Sequence, residues 1–198
     1  MAPVVAGCLR CAQPLPPIGP CRFCSTWEHL ETCRSAVWLG PGARAAVHAL
    51  KYGGIQAVAG PMADVMTQRL VRPEGVLAPI PLGPSRLKVR GFNQAERLAR
   101  ALRTRWRLSL RSEVLVRQRE TRTQTELQPA ERQANVADAF AAAPCADGAS
   151  GAIILVDDVL TTGATLLAAA AALRAAGWGP IRAVTFARAE PWGRRITG

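Results

Sequence analysis

Ile153-Ile154-Leu155-Val156-Asp157-Asp158-Val159-Leu160-Thr161-Thr162-Gly163-Ala164-Thr165 is the stretch around which the chain is organised. Its first four residues are apolar and mostly β-branched, with Gly148 and Gly151 just upstream. That is the pattern of a strand buried on both faces, as in a parallel sheet. Asp157 and Asp158 stand where such a strand is expected to leave the sheet, and Thr161–Thr165 supply a turn of small residues. Leu166–Ala176 (LLAAAAALRAA) has the composition of a helix, and Gly177 is placed to close it.

Strand, acidic pair, Thr/Gly turn and helix start together predict a site for a sugar phosphate. Backbone N–H groups at the turn and first helical residues can hold a phosphate dianion, Gly163 lets the chain come close, and the threonine hydroxyls add donors. Asp157 and Asp158 are unsuited to phosphate, because like charges repel; they suit a ribose diol or a divalent cation. A strand-to-helix turn whose aspartates merely cap the helix is the competing reading.

The chain has 198 residues, enough for one good-sized core and a small appendage. No apolar run is long enough to span a bilayer, and the start, MAPVVAGCLRC, lacks a basic flank followed by an apolar core, so a cytoplasmic protein is expected. The formal net charge of +11, from 25 Lys and Arg against 14 Asp and Glu, favours anionic partners such as nucleic acid, nucleotides or diphosphates. No block of consecutive basic residues marks a nucleic-acid tail, and the aromatics available to stack bases are few and scattered.

Residues 1–34 differ from the rest. They hold five of the six cysteines, and Cys8-x-x-Cys11 is followed nine residues later by Cys21-x-x-Cys24. Two such pairs make a tetrahedral thiolate site for structural zinc, and the short gap favours a compact knuckle or ribbon. A disulfide pair is the rival, disfavoured in a reducing compartment. So small a module has almost no core, so metal would supply its folding energy. Cys33 is an extra thiol, and His29 is expected at the surface. The remainder, 35–198, is expected to form one α/β domain.

Val37, Leu39, Ala43, Val47 and Leu50 suit a helix after Pro41-Gly42 that ends at Lys51-Tyr52-Gly53-Gly54. Lys51 reads first as a cation favoured at a helix C-terminus, with an anion contact as the alternative. A helix is expected over 55–71, a short strand over 76–82 and a helix from Ala95 to Trp106. Between them, Arg86, Lys88 and Arg90 alternate along what reads as an extended loop before Gly91-Phe92-Asn93-Gln94. Three cations gathered there would suit diphosphate. Residues 112–116 and 136–143 read as strands, separated by a polar stretch without an apolar face. Arg117, Arg119, Arg122 and Arg132 in that stretch could form a lid over an anionic ligand, with a disordered insertion as the alternative. Ile181–Ala187 is expected as the next parallel strand, beside Ile153–Val156.

VDDVLTTGAT resembles the phosphoribosyl-diphosphate (PRPP) signature of type I phosphoribosyltransferases. The resemblance implies that Asp157 and Asp158 hold the ribose hydroxyls and that Thr161, Thr162, Gly163, Ala164 and Thr165 hold the 5-phosphate. KYGG, PIPLGPSRLKVRGFNQAERLA, ETRTQTELQPAERQANVADAF and ILVDDVLTTGAT, in that order, further resemble the ComF family. That resemblance covers nearly the whole chain. It implies a zinc module joined to a type I phosphoribosyltransferase fold, with RLKVRGFNQ as the diphosphate loop, RTQTELQPAERQAN as a mobile lid and Mg²⁺ beside Asp157 and Asp158. It also implies a role in natural competence, near incoming single-stranded DNA. The activity expected is phosphoribosyl transfer from PRPP with release of diphosphate. The rivals are a PRPP- or nucleotide-binding adaptor without turnover, and a binder of single-stranded DNA or of competence proteins.

Overall fold

The computed structural model describes residues 1–4, 7–16, 18–52, 56–118, 138–145 and 151–189. Within these the elements run β1 (Thr32–Trp38), α1 (Pro41–Tyr52), a 3-10 turn (Gln56–Val58), α2 (Ala59–Arg69), β2 (Val76–Pro79), α3 (Pro84–Arg90), α4 (Gln94–Trp106), β3 (Leu115–Arg117), β4 (Phe140–Ala142), β5 (Ile153–Leu160), α5 (Ala164–Ala175) and β6 (Ile181–Arg188). Four strands form a parallel sheet in the order β1-β6-β5-β2, and β3 and β4 make a separate antiparallel pair.

The buried strand is where the apolar run required it. Ile153, Ile154, Leu155 and Val156 are all fully buried, and they divide between the two faces of the sheet. Ile153 and Leu155 join a core with Ala169 and Leu173 of α5, whereas Ile154 and Val156 join one with Leu50, Met62 and Leu98 from α1, α2 and α4. Each such side chain contributes about 1.5–3 kcal/mol on burial, which anchors β5 firmly in the sheet. The crossover through α5 returns the chain to β6, paired with β5 from Ile153 opposite Ile181 to Leu160 opposite Arg188. That pairing carries β5 past the expected strand end, so both aspartates lie within the strand. Gly177, at φ +88°, follows α5 as anticipated.

Three readings change. The strand β1 was not expected: TCRSAVW carries Arg34 and Ser35 in its middle, which hides the pattern. It is stabilised as a strand by parallel pairing with β6 and by a buried 2.6 Å hydrogen bond between the Ser35 and Thr185 hydroxyls. The expected module boundary at residue 34 therefore falls inside a strand. Second, the cysteine segment does not stand apart. Cys11, Cys21, Cys24, Trp27 and Leu30 are buried in the same cluster as Ile153 and Leu155, so the sheet supplies the core the segment lacks. Third, Arg86, Lys88 and Arg90 are on a helix rather than an extended loop. Pro84 sits in its first turn, and Gly91 at φ +78° ends it in the left-handed conformation.

Candidate functional site

The ends of β2 and β5, one face of α1, α3 and the start of α5 enclose a cavity of about 630 Å³. Asp157 and Asp158 line it from β5, and Thr161, Gly163, Ala164 and Thr165 from the turn that follows. Gly163 adopts φ +85° and caps α5 with no side-chain hydrogen bond, at the lining of the cavity. Thr162 is not among the lining residues. Its Oγ1 accepts from the Ala164 N–H at 3.4 Å, which stabilises the turn itself.

The cations come from two helices and a strand. Arg86 and Arg90, four residues apart on α3, both line the cavity, and Lys88 does not, being exposed elsewhere on the same helix. The RGFNQ motif explains how Arg90 is held. Gly91 ends α3, Phe92 is buried, and Asn93 caps α4 by accepting from Ala95 N–H at 3.0 Å while donating to Ile80 O at 2.9 Å. Buried Gln94 then accepts from Arg90 Nη1. Arg117 also lines the cavity and sits over Phe140 at 5.2 Å. The other lid candidates, Arg119, Arg122 and Arg132, lie outside the described residues.

The α1 wall is what the sequence did not announce. Arg44, Val47, His48, Lys51 and Tyr52, at helical spacing, all face the cavity. Lys51 Nζ is 2.5 Å from Asp158 Oδ2, Arg90 lies 5.1 Å over the Tyr52 ring, and the His48 ring packs tilted against the same ring at 5.1 Å. The cue available was Lys51 itself, one of two lysines, set directly before a glycine pair.

The two aspartates differ electrostatically. Burial and the neighbouring Asp158 push Asp157 well above the usual carboxylate range. Burial acts on Asp158 too, but Lys51 outweighs it and holds Asp158 below that range. Lys51 is raised in turn, because Asp158 overcomes the desolvation that would lower it. Asp157 Oδ1 accepts the Asp158 N–H at 2.8 Å. With Arg44, Lys51, Arg86, Arg90 and Arg117 around two carboxylates, the lining suits a multiply charged anion that also presents hydroxyls.

On the α5 face of the sheet, away from α1, the sulfur atoms of Cys8, Cys11, Cys21 and Cys24 lie within 4.8 Å of one another. Cys8 and Cys24 are 3.5 Å apart, and Cys11 and Cys21 3.6 Å. A zinc ion at Zn–S distances of about 2.3 Å spaces its ligands about 3.8 Å apart, so the cluster is compatible with structural zinc. Burial pushes the Cys11 thiol up to about 11; Cys8 falls to about 7, because N–H donors from Cys11 and Arg10 outweigh burial. Cys33, fully buried in β1 and pushed up to about 12 by that burial, stands outside the four. His29 is exposed.

Residues 87–194 match the profile of the Phosphoribosyl transferase domain. The chain is 30% identical over 169 residues to the DNA utilization protein YhgH of Escherichia coli O157:H7, covering 80% of this chain and 67% of that protein. It is 29% identical over 167 residues to the protein of the same name from Salmonella typhimurium. Competence protein F of Haemophilus influenzae is 35% identical over 125 residues, 62% of this chain and 54% of the relative. Among the described residues no helix is long and apolar enough to cross a membrane. With its parallel sheet, acidic pair and N-terminal cysteine cluster, the chain is a ComF-like member of the phosphoribosyltransferase family.

Proposed function

We propose that the cavity binds PRPP and that the protein transfers its phosphoribosyl group to an acceptor, releasing diphosphate. The observation that carries this is the convergence of the acidic pair, the Thr161–Thr165 turn and the Arg86–Arg90 face on one cavity. In this reading the turn and the start of α5 hold the 5-phosphate, and Asp157 and Asp158 accept from the ribose hydroxyls. Arg86 and Arg90 face the diphosphate and offset the charge it gains as its bond to the anomeric carbon breaks. Lys51, paired with Asp158, offsets the repulsion between the two carboxylates and adds positive charge on the same side. Arg117, which lines the cavity, begins the stretch that would close over the ligand and exclude water.

Two metals fit the residues present. Asp157, raised by burial and by its neighbour, and Asp158 form a hard oxygen pair suited to Mg²⁺, which would supply further charge neutralisation for the diphosphate. The cysteine cluster would hold zinc for structure alone. The protein is read as cytoplasmic.

A second reading follows from the relatives named for DNA utilization and competence, together with the net charge of +11. In it PRPP or a nucleotide is a bound signal, and single-stranded DNA or a competence protein is the partner. Calorimetric titration with PRPP, with and without Mg²⁺, followed by an acceptor screen for diphosphate release, separates the two. Mg²⁺-dependent binding lost in the Asp157→Asn, Asp158→Asn double variant supports the pocket. Unchanged affinity in that variant refutes it, and binding without diphosphate release selects the signalling form.

A further inference from the structure

The cysteine cluster and the phosphate turn touch through one side chain. Trp27, three residues after Cys24, is buried, and its Cζ2 stands 3.5 Å from the point where a side chain on Gly163 would begin. Gly163 is thus held between the cavity on one side and the indole on the other. The indole is in turn fixed from the cysteine side. The backbone N–H of Trp27 donates to Cys24 O at 3.2 Å, which sets where the ring leaves the chain, and Phe23 packs edge-on at 5.6 Å. Arg10, between Cys8 and Cys11, lies over the ring at 5.9 Å while donating to Cys24 O and Trp27 O at 3.1 and 2.6 Å. These contacts tie Trp27 to the ligand candidates and their immediate neighbours.

We propose that Trp27 is a positioning residue, through which zinc loading of the four-cysteine cluster sets the shape and the anion affinity of the Thr161–Thr165 turn. The assignment of the turn to phosphate rests on the function proposed above; the mechanical coupling does not. Zinc fixes Cys24 and with it the tight turn to Trp27, and the indole supplies the floor on which Gly163 keeps its left-handed backbone. With the metal gone, four crowded thiols no longer hold that loop, the indole withdraws, and the turn loses packing on the side away from the ligand. Coupling between two sites is reciprocal, so a ligand that orders the turn must also tighten the hold on zinc.

Hydrogen exchange over residues 161–167 in the full zinc-loaded chain tests the coupling without any ligand. Chelating zinc from the wild type, or substituting Trp27→Ala with zinc still bound, is expected to speed exchange at the turn by about tenfold or more while the amides of β5 and β6 stay protected. Unchanged exchange at the turn in either case overturns the proposal. If Trp27→Ala does not fold, Trp27→Phe keeps a ring beside Phe23 while withdrawing the edge that meets Gly163. The second arm measures zinc capture by a chromogenic chelator with and without PRPP. PRPP is expected to slow capture about fivefold or more in the wild type and to leave it unchanged in the Trp27 variant, a difference that packing alone would not produce. A turn that loosens on zinc removal in a protein that binds no PRPP would uphold the coupling and end the phosphoribosyl reading. PRPP binding with a turn indifferent to zinc would do the reverse.

Discussion

Lys51 and Asp158 meet at 2.5 Å, tying the last turn of α1 to the acidic end of β5 across the floor of the cavity. Asp158 is almost wholly buried, so its charge is acceptable there only because Lys51 is beside it. Lys51→Met leaves that carboxylate without a counter-charge. The variant is expected to lose about 1–3 kcal/mol of stability at neutral pH, read from denaturant unfolding. The loss should shrink as pH falls and Asp158 becomes protonated. A loss of equal size at all pH values would show that Lys51 acts through packing alone.

Asp157 predicts a conflict between stability and binding. Its carboxyl is raised in the folded state by burial and by Asp158, so the folded protein binds that proton more tightly than the unfolded chain. Its contribution is therefore favourable below the unfolded value of about 3.9 and is lost as pH rises through the raised folded value. Asp158, held low by Lys51, behaves oppositely: its contribution is present above about 3.9 and is lost as pH falls through the depressed value. Asp157→Asn should accordingly raise the melting temperature of the ligand-free protein at neutral pH, by about 2–4 °C for each kcal/mol released. The same variant should bind PRPP more weakly. A melting temperature that falls with Asp157→Asn would contradict the electrostatic account.

The helical placement of the RLKVR segment separates its cations. Arg90, in the cavity wall and braced by Gln94, should matter to diphosphate, whereas Lys88 should not. Arg90→Ala is expected to weaken diphosphate binding about tenfold or more, the equivalent of losing one charge-assisted hydrogen bond. Lys88→Ala should stay within about twofold of wild type. Equal losses in the two variants, measured by competition titration, would restore the extended-loop picture.

Gly163 should tolerate a methyl group sterically but not conformationally. Its nearest neighbour would be Trp27 at 3.5 Å, an ordinary contact, yet φ +85° is unfavourable for any residue with a Cβ. Gly163→Ala is expected to cost about 1–2 kcal/mol and to weaken PRPP binding together with stability. Full stability with full affinity would mean that the turn can relax to a negative φ.

Local chemistry made much of this legible beforehand. The run Ile153–Val156 needed two apolar faces, and only a central parallel strand provides them. The small residues of Thr161–Thr165 can serve few purposes after a buried strand and an acidic pair. What escaped depended on distant partners. The polar middle of β1 becomes acceptable only beside Thr185, and the bond from Ser35 supplies what the sequence of that strand could not. The seven residues of α3 are bracketed by proline and glycine, which suggest a loop locally and turn out to be the ends of a helix. Lys51 could be placed at a helix end from its neighbours, but its carboxylate partner is brought to it only by the sheet.

Arg188 carries a consequence for how the molecule comes into being. It is buried near the end of β6, between the rings of Phe23 and Trp38, donating to Cys11 O and to the Gln13 side chain near the opposite end of the chain. Strand β1 likewise finds its parallel sheet partner in β6. On the ribosome the cysteine segment and β1 therefore emerge well before β6, and wait until it is made for the residues that complete their surroundings. Contacts of such sequence separation form slowly. A metal ion held early by the four sulfurs would give this part of the nascent chain a protected core during that interval, keeping its thiols from stray oxidation.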